Sequence, residues 1–123
     1  LAPSKAALQA HDDERLQENA RVRGEQLLAG LRALQSRHAI IGDVRGVGLF
    51  VGVELVTDRQ QRTPATDEAS YIVNRLREDR ILIGTEGPTD SVLKIRPPLT
   101  VAAGDVDLLL ATLDRVLEET SFL

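Results

Sequence analysis

The apolar residues of this chain change their spacing part-way along it, and that change restricts the folds open to it. Over residues 4–37 the apolar positions recur with the period of a helix, at Ala20, Leu27, Leu31 and Leu34. We expect one long helix here, with a break near Asp12-Asp13. Residues 49–56 instead alternate between two sets of side chains, which is the period of a strand. The chain therefore mixes helix and strand.

The rest of the sequence continues this mixture. Thr66 is the predicted N-cap of a second helix ending near Asp79, because acidic residues follow it and apolar residues then recur at helical spacing. Short strands are predicted at residues 81–83 and 92–96, and a last helix at 105–119. The short connection between the two late strands favours an antiparallel pair. The sequence thus predicts an α+β fold: one domain over residues 1–123, with a small antiparallel sheet of about three strands and helices packed on one face.

A sheet with helices on one face leaves its other face without a cover. Phe50, Gly52 and Val56 alternate with the core positions, so we expect them on that uncovered face. Apolar surface of this kind favours association, and we expect the isolated chain to self-associate. The sequence also has no methionine and begins Leu1-Ala2-Pro3, which indicates a fragment of a longer protein.

Composition disfavours several classes of function. The 123 residues carry a net charge of −4 and the pI is about 5.1, which argues against nucleic-acid and anionic-membrane partners. There is no cysteine, so disulfides and thiolate metal sites are excluded. No apolar run approaches the roughly 20 residues of a membrane span. We therefore expect a cytoplasmic protein that binds neither nucleic acid nor a membrane.

Three features that can carry chemistry are interpreted as structural or solvated here. Gly46 and Gly48 resemble part of a dinucleotide-binding turn, but a strand follows them where that turn needs a helix N-terminus, so we interpret them as a bend. His11 and His38 are 27 residues apart and lack the spacing of metal ligands. Lys94 lies in a strand beside another cation and is a poor candidate for a Schiff-base lysine. The sequence accordingly predicts no catalytic, cofactor-binding or metal-binding residue.

Arg96 is the candidate binding residue. It ends a predicted strand and precedes Pro97-Pro98, and prolines restrict both their own backbone and that of the residue before them. We expect a guanidinium at the end of a sheet with little backbone freedom, and its planar fork suits two-point binding of a carboxylate. The alternative interpretation is an edge-strand arginine in a surface ion pair.

Several ordered blocks of the sequence resemble one family. Residues 42–55, GDVRGVGLFVGVEL, resemble a segment of the class III pyridoxal-phosphate-dependent aminotransferases. Residues 83–88, IGTEGP, and 92–99, VLKIRPPL, resemble a late segment of the same family, and Glu18-Asn19-Ala20 resembles the beginning of its C-terminal domain. The resemblance covers nearly the whole chain, and its late blocks lean toward the alanine–glyoxylate aminotransferase and phospho-lyase branch.

The resemblance implies the C-terminal small domain of a fold type I enzyme, with the large domain absent. In that family the lysine and the phosphate-binding loops for pyridoxal phosphate belong to the large domain, so the cofactor would be bound there and this chain alone would be inactive. Arg96 would bind the carboxylate of a small amino acid or oxo acid substrate. The large domain, and the second subunit of a homodimer, would be its partners.

Two alternatives stay open, and the sequence departs from the family at two places. Either the chain is a stand-alone α+β module that binds a small acid or regulates in response to one, or the parent enzyme is a pyridoxal-phosphate-dependent phospho-lyase. One departure is Thr89-Asp90-Ser91, where the family often has an asparagine. The other is Ala102-Ala103-Gly104, which stands where the family usually has a threonine and acidic residues. Losing that cap predicts a last helix whose start is weaker by about 1 kcal/mol.

Overall fold

Three helices and five strands make up the computed structural model, which describes residues 5–120 and the side chains of residues 12–120. The helices are α1 (Lys5–Arg37), α2 (Thr66–Glu78) and α3 (Ala103–Thr120). The strands are β1 (Ile41–Val47), β2 (Phe50–Asp58), β3 (Thr63–Pro64), β4 (Gly84–Glu86) and β5 (Val92–Ile95). The predicted α+β class is confirmed. Residue 4 and the side chain of His11, both used in the sequence predictions, lie outside the described part.

Helix α1 runs without interruption, so the expected break near Asp12-Asp13 is wrong. Both aspartates are exposed, and solvated carboxylates on the outside of a long helix impose no packing conflict that would interrupt it. Within residues 5–120, no helix combines the length and the apolar character that crossing a membrane requires.

The strands form one antiparallel sheet in the order β1-β2-β5-β4, and β3 pairs with β2 at its far end. The antiparallel pairing of the two late strands is confirmed, but the sheet has more than the three strands predicted. The predicted glycine-rich bend is in fact strand β1. Its glycines relieve crowding within the ladder, because a Cβ on Gly46 would lie 2.9 Å from Val51 Cγ2 and one on Gly42 would lie 2.9 Å from Val56 Cγ2.

The predicted strand over residues 81–83 is wrong, and β4 begins at Gly84, where that strand was expected to end. The ladder with β5 reaches only as far as Gly84, which pairs with Lys94. Residues 81–83 instead form the connection from α2 to β4, since Arg80 turns the chain at φ +64° after the helix and the Ile81 amide donates back to the Leu76 carbonyl. The apolar run therefore crosses from helix to sheet.

Both helix starts differ from the sequence prediction. The cap of α2 is Ala65, which has no capping side chain, while the Thr66 hydroxyl donates to the Thr89 carbonyl 2.7 Å away. The start of α3 lacks a capping hydroxyl but has a different side-chain bond. The Ala102 amide donates to Asp105 Oδ2 at 3.1 Å, so the first turn of the helix caps itself with its own carboxylate.

The core lies between the helices and one face of the sheet. Its fully buried members are aliphatic side chains from every layer, including Leu27, Leu31, Val51, Val53, Leu55, Ile72, Leu76, Leu93, Ile95, Leu113 and Leu117. Helices packed on one face are as predicted. Val56 is an error in the predicted uncovered face, because it is only 1% exposed. A register shift between Ile41 and Asp43 breaks the alternation there, and Val56 packs against Gly42.

A carboxylate bound by two groups joins α2 to α3. Arg75 Nε and Nη2 donate to the two oxygens of Glu119 at 2.8 and 2.9 Å, and the Tyr71 hydroxyl donates to Oε2 at 2.9 Å. These bonds, the guanidinium's first, lower the pKa of Glu119 from its ordinary 4.5 to about 2. The folded state therefore favours the ionised carboxylate more than the unfolded state does.

We expect this link to give the fold an acid-sensitive increment of stability. Because the folded pKa is depressed, the increment is complete above about pH 4.5 and is lost as the pH falls towards 2. Thermal unfolding of the wild type and Glu119→Gln should show a Tm difference that is constant near neutrality and narrows below pH 4.5. Glu25→Gln, which removes an exposed pair with Arg21, should lower the Tm far less. A Glu119→Gln difference that stays unchanged to pH 2 would contradict the assignment.

Candidate functional site

The face of the sheet opposite the helices, hereafter the open face, carries charged side chains around one aromatic ring. Register fixes its members, since Val51 and Val53 of β2 point into the core beside Ile95 and Leu93, and the residues between them point outward. On this face lie Arg45, Phe50, Glu54, Glu86, Lys94 and Arg96. The uncovered face predicted from the sequence is therefore present. It is mainly polar, with Phe50 44% exposed at one end.

Most cations of the open face have a carboxylate partner. Arg45 Nε lies 3.0 Å from Asp43 Oδ2, and Arg62 Nη2 lies 3.3 Å from Glu54 Oε2. Lys94 Nζ lies 3.8 Å from Glu86 Oε2. Arg96 differs, since its guanidinium makes no hydrogen bond or ion pair with any residue in 12–120, and its Cζ lies 5.8 Å from the centroid of the Phe50 ring. The Arg96 guanidinium is therefore available to bind an anion from outside these residues.

The backbone around Arg96 is fixed from both sides. Ile95, just before it, is buried in the core, and the prolines after it end the ladder. The following loop is tied to α1, because the Asn19 side-chain amide donates to the Leu99 carbonyl at 2.8 Å and to the Val101 carbonyl at 2.9 Å. These two bonds hold the loop after Arg96 against α1. The role of Asn19 was missed, since its partners are 80 and 82 residues away.

A cavity of about 340 Å³ borders the same strand end. Arg96 and Asp105 are among its lining residues, and the other walls are mainly aliphatic, from Ile83, Val101 and Leu109. Leu82 and Leu108 at its rim are 80% and 62% exposed. Arg96 thus stands between the charged open face and an apolar hollow.

The structure places the remaining sequence candidates in structural or solvated positions. Gly48 takes φ +56° in the two-residue loop between Val47 and Phe50, a conformation that glycine adopts without steric cost. Because that loop joins two strands, no helix N-terminus faces it. Lys94 is 40% exposed beside Glu86 rather than in an apolar pocket.

His38 lies in a charged cluster that its position in the sequence did not indicate. Its Nε2 is 2.6 Å from Asp114 Oδ1, and the ligand-type atoms of His38, Asp114 and Glu118 all lie within 4.8 Å of one another. The bond to His38 lowers the pKa of Asp114 below its ordinary 3.8. The other Asp114 oxygen is 3.0 Å from Arg37 Nη1, so protein groups already engage both oxygens. The cluster links the end of α1 to α3.

Residues 5–120 thus form a small α+β domain with helices on one face of its sheet and charged side chains on the other. The sequence profile described as "Aminotransferase class-III" matches residues 1–117. This chain belongs to the class III aminotransferase family.

Individual relatives agree with that assignment. The mitochondrial alanine–glyoxylate aminotransferase 2 homolog 2 of Arabidopsis thaliana is 45% identical over 109 residues, covering 89% of this chain and 23% of that protein. A phospholyase from Arthrobacter, solved in complex with phosphoethanolamine, superposes with a TM-score of 0.83 at 34% identity over 92% of this chain and 27% of the other. An amine transaminase of an uncultivated Pseudomonas species, solved in its pyridoxal-phosphate-bound form, gives 0.78 at 32% identity over 93% and 26%. The chain spans about a quarter of the length of these relatives.

Proposed function

We propose that this chain is the C-terminal small domain of a pyridoxal-phosphate-dependent aminotransferase that moves an amino group between an amino donor and an oxo acid. The observation that carries the proposal is Arg96, a guanidinium beside two prolines that has no carboxylate partner among residues 12–120, on a face where the other cations have one. Its role is to bind the carboxylate of a small amino acid or oxo acid. Membership in the family, and the fact that the chain spans about a quarter of its relatives' length, support its assignment as one domain of a larger enzyme.

The cofactor belongs to the rest of the parent enzyme. Pyridoxal phosphate, when bound, carries the amino group and withdraws electrons from the substrate. The residues described here do not fit a site for it, because Lys94 is half-exposed and paired with Glu86. The domain contributes carboxylate binding and, on closing against the large domain, exclusion of water. A homodimeric parent, a cytoplasmic location and self-association of the isolated chain stay predictions.

The isolated 123-residue chain should form no stoichiometric adduct with pyridoxal phosphate. Lys94 is 40% exposed on a strand and lies beside Glu86, so no enclosed site holds the cofactor against its amine. Borohydride reduction followed by mass spectrometry should give only the trace labelling seen for Lys94→Arg and for an unrelated protein with exposed lysines. Stoichiometric labelling at Lys94 would contradict the assignment of the cofactor to the rest of the enzyme.

Reading the parent gene separates the proposal from a stand-alone acid-binding or regulatory module. We expect the gene to encode about 300 further residues that include a lysine-centred cofactor site, which corresponds to one or two additional domains. A gene that encodes only this domain would overturn the proposal.

A phospho-lyase parent is the second candidate, and the likeness to the Arthrobacter phospholyase favours it. The full-length enzyme should be offered alanine with an oxo acid, and phosphoethanolamine, in parallel. Formation of the new amino acid supports the aminotransferase. Release of inorganic phosphate without amino transfer supports the lyase.

A further inference from the structure

One aromatic ring on the open face contacts two cations. The Phe50 ring centroid lies 5.8 Å from Arg96 Cζ and 5.6 Å from Lys94 Nζ. Both distances fall within the range in which a cation is attracted to the negative face of an aromatic ring. The sequence contains only two phenylalanines and one tyrosine, so a half-exposed ring at this place is an unusual use of a scarce residue type.

Register explains how one ring reaches two side chains of the neighbouring strand. Val51 pairs with Ile95, so Phe50 lies across from Arg96, and Lys94 lies across from Gly52. Gly52 has no side chain, which leaves the outward surface of β2 clear between Phe50 and Glu54. Direct and diagonal neighbours on one face of an antiparallel pair are close enough for an aromatic ring to touch both.

We propose that Phe50 is a positioning residue for substrate binding, holding the Arg96 guanidinium in place for a carboxylate; this rests on the proposed function. An arginine side chain loses considerable rotamer freedom when it binds a substrate, so restraining it beforehand reduces the entropy lost on binding. A carboxylate of the protein could provide the restraint, but it would occupy the place of the substrate's carboxylate. An aromatic face restrains the guanidinium without using its N–H donors. The fork thus stays available for two-point binding of the substrate.

Lys94 contributes to the same arrangement in a different way. Its pairing with Glu86 offsets its charge, whereas Arg96 has no such partner in residues 12–120. The charged side chains around the ring therefore sum to one net positive charge, which suits the binding of a single carboxylate.

The test uses the full-length parent enzyme and two amino donors, one with a carboxylate and one a simple amine. Phe50→Leu should lower kcat/KM for the carboxylate donor about two- to fivefold, the equivalent of roughly 0.5–1 kcal/mol for an exposed cation–π contact. The kcat/KM for the amine donor should be unaffected. Phe50→Trp should keep the wild-type ratio of the kcat/KM for the carboxylate donor to that for the amine donor. Replacing Phe50 with fluorinated phenylalanines, which keep the shape and weaken the ring's negative face, should lower the same ratio stepwise.

Two further variants separate this role from others. Val47→Ala shortens an exposed apolar side chain that pairs with Phe50 across the hairpin and leaves the ring and both cations in place, so it should leave the ratio unchanged. In an Arg96→Gln background, Phe50→Leu should have no further effect on the ratio, since the positioned group is gone. Equal losses on both donors, or no response to fluorination, would overturn the role of Phe50 while Arg96→Gln still reduces the ratio. An Arg96→Gln enzyme with the wild-type ratio would instead overturn the proposed function, and this inference with it.

Discussion

Arg96→Lys in the full-length enzyme should lower kcat/KM for a carboxylate-bearing amino donor by about 30- to 1,000-fold. Lysine keeps the charge but loses the planar fork, so a two-point contact becomes a single one. Breaking a desolvated, charge-assisted contact of this kind costs about 2–4 kcal/mol, and each 1.4 kcal/mol is a factor of ten in rate. Folding should survive, because the side chain is exposed at a strand end.

The measurement is steady-state kinetics with an α-amino acid and a simple amine side by side. The loss should fall on the amino acid and largely spare the amine. Arg45→Lys is the matched control, since it changes an arginine of the same face that is already bound by Asp43, and it should leave both rates nearly unchanged. Equal losses on both donors would make Arg96 structural, and an unaffected amino-acid rate would place the carboxylate elsewhere.

Gly24→Ala should destabilise the fold by about 2–3 kcal/mol, the cost of overpacking a site that has no room to relax. A Cβ on Gly24 would lie 2.3 Å from the carbonyl oxygen of Gly48, a backbone atom in the hairpin loop at φ +56°. Neither partner can rotate away, so α1 would have to separate from the hairpin. This exceeds the gain of about 1 kcal/mol that alanine brings to a helix interior.

Gly30→Ala on the same helix is the informative comparison. There the added Cβ would lie 2.2 Å from Leu110 Cδ1, the end of a flexible side chain that can adopt another rotamer. The propensity gain should offset most of the cost, leaving a change within about 1 kcal/mol of zero. Gly104→Ala, with open space around its Cβ, controls for propensity alone. Denaturant unfolding that ranks Gly24→Ala no worse than Gly30→Ala would show that the hairpin yields.

The elements with a single clear period were predictable from the sequence. All three helices, β2 and β5 have apolar residues that recur at 3.6 or 2, and the structure has each of them. Strand β1 was missed because its glycines make the sequence resemble a bend. In the structure they leave room for the side chains of the neighbouring strand. Residues 81–83 were assigned to a strand because a short apolar run does not distinguish a helix exit from a ladder.

The candidate site divides in the same way. Arg96 could be selected from local sequence, since the prolines after it and the strand before it are adjacent in the chain. Its lack of a carboxylate partner, its contact with Phe50 and the support from Asn19 depend on residues far away in sequence. Pairings of that range follow from how the helices and the sheet pack, which no local pattern encodes.

The side-chain amide of Asn19 links the position of α1 to the loop that follows Arg96. The helix has 33 residues and so extends about 50 Å, and the amide holds the carbonyls of Leu99 and Val101 just beyond the Arg96-Pro97-Pro98 corner. A rotation of the helix axis would therefore displace these two carbonyls, and with them the loop that follows Arg96. A contact that tilts α1 would in that way also change how far the Arg96 side chain extends from the sheet.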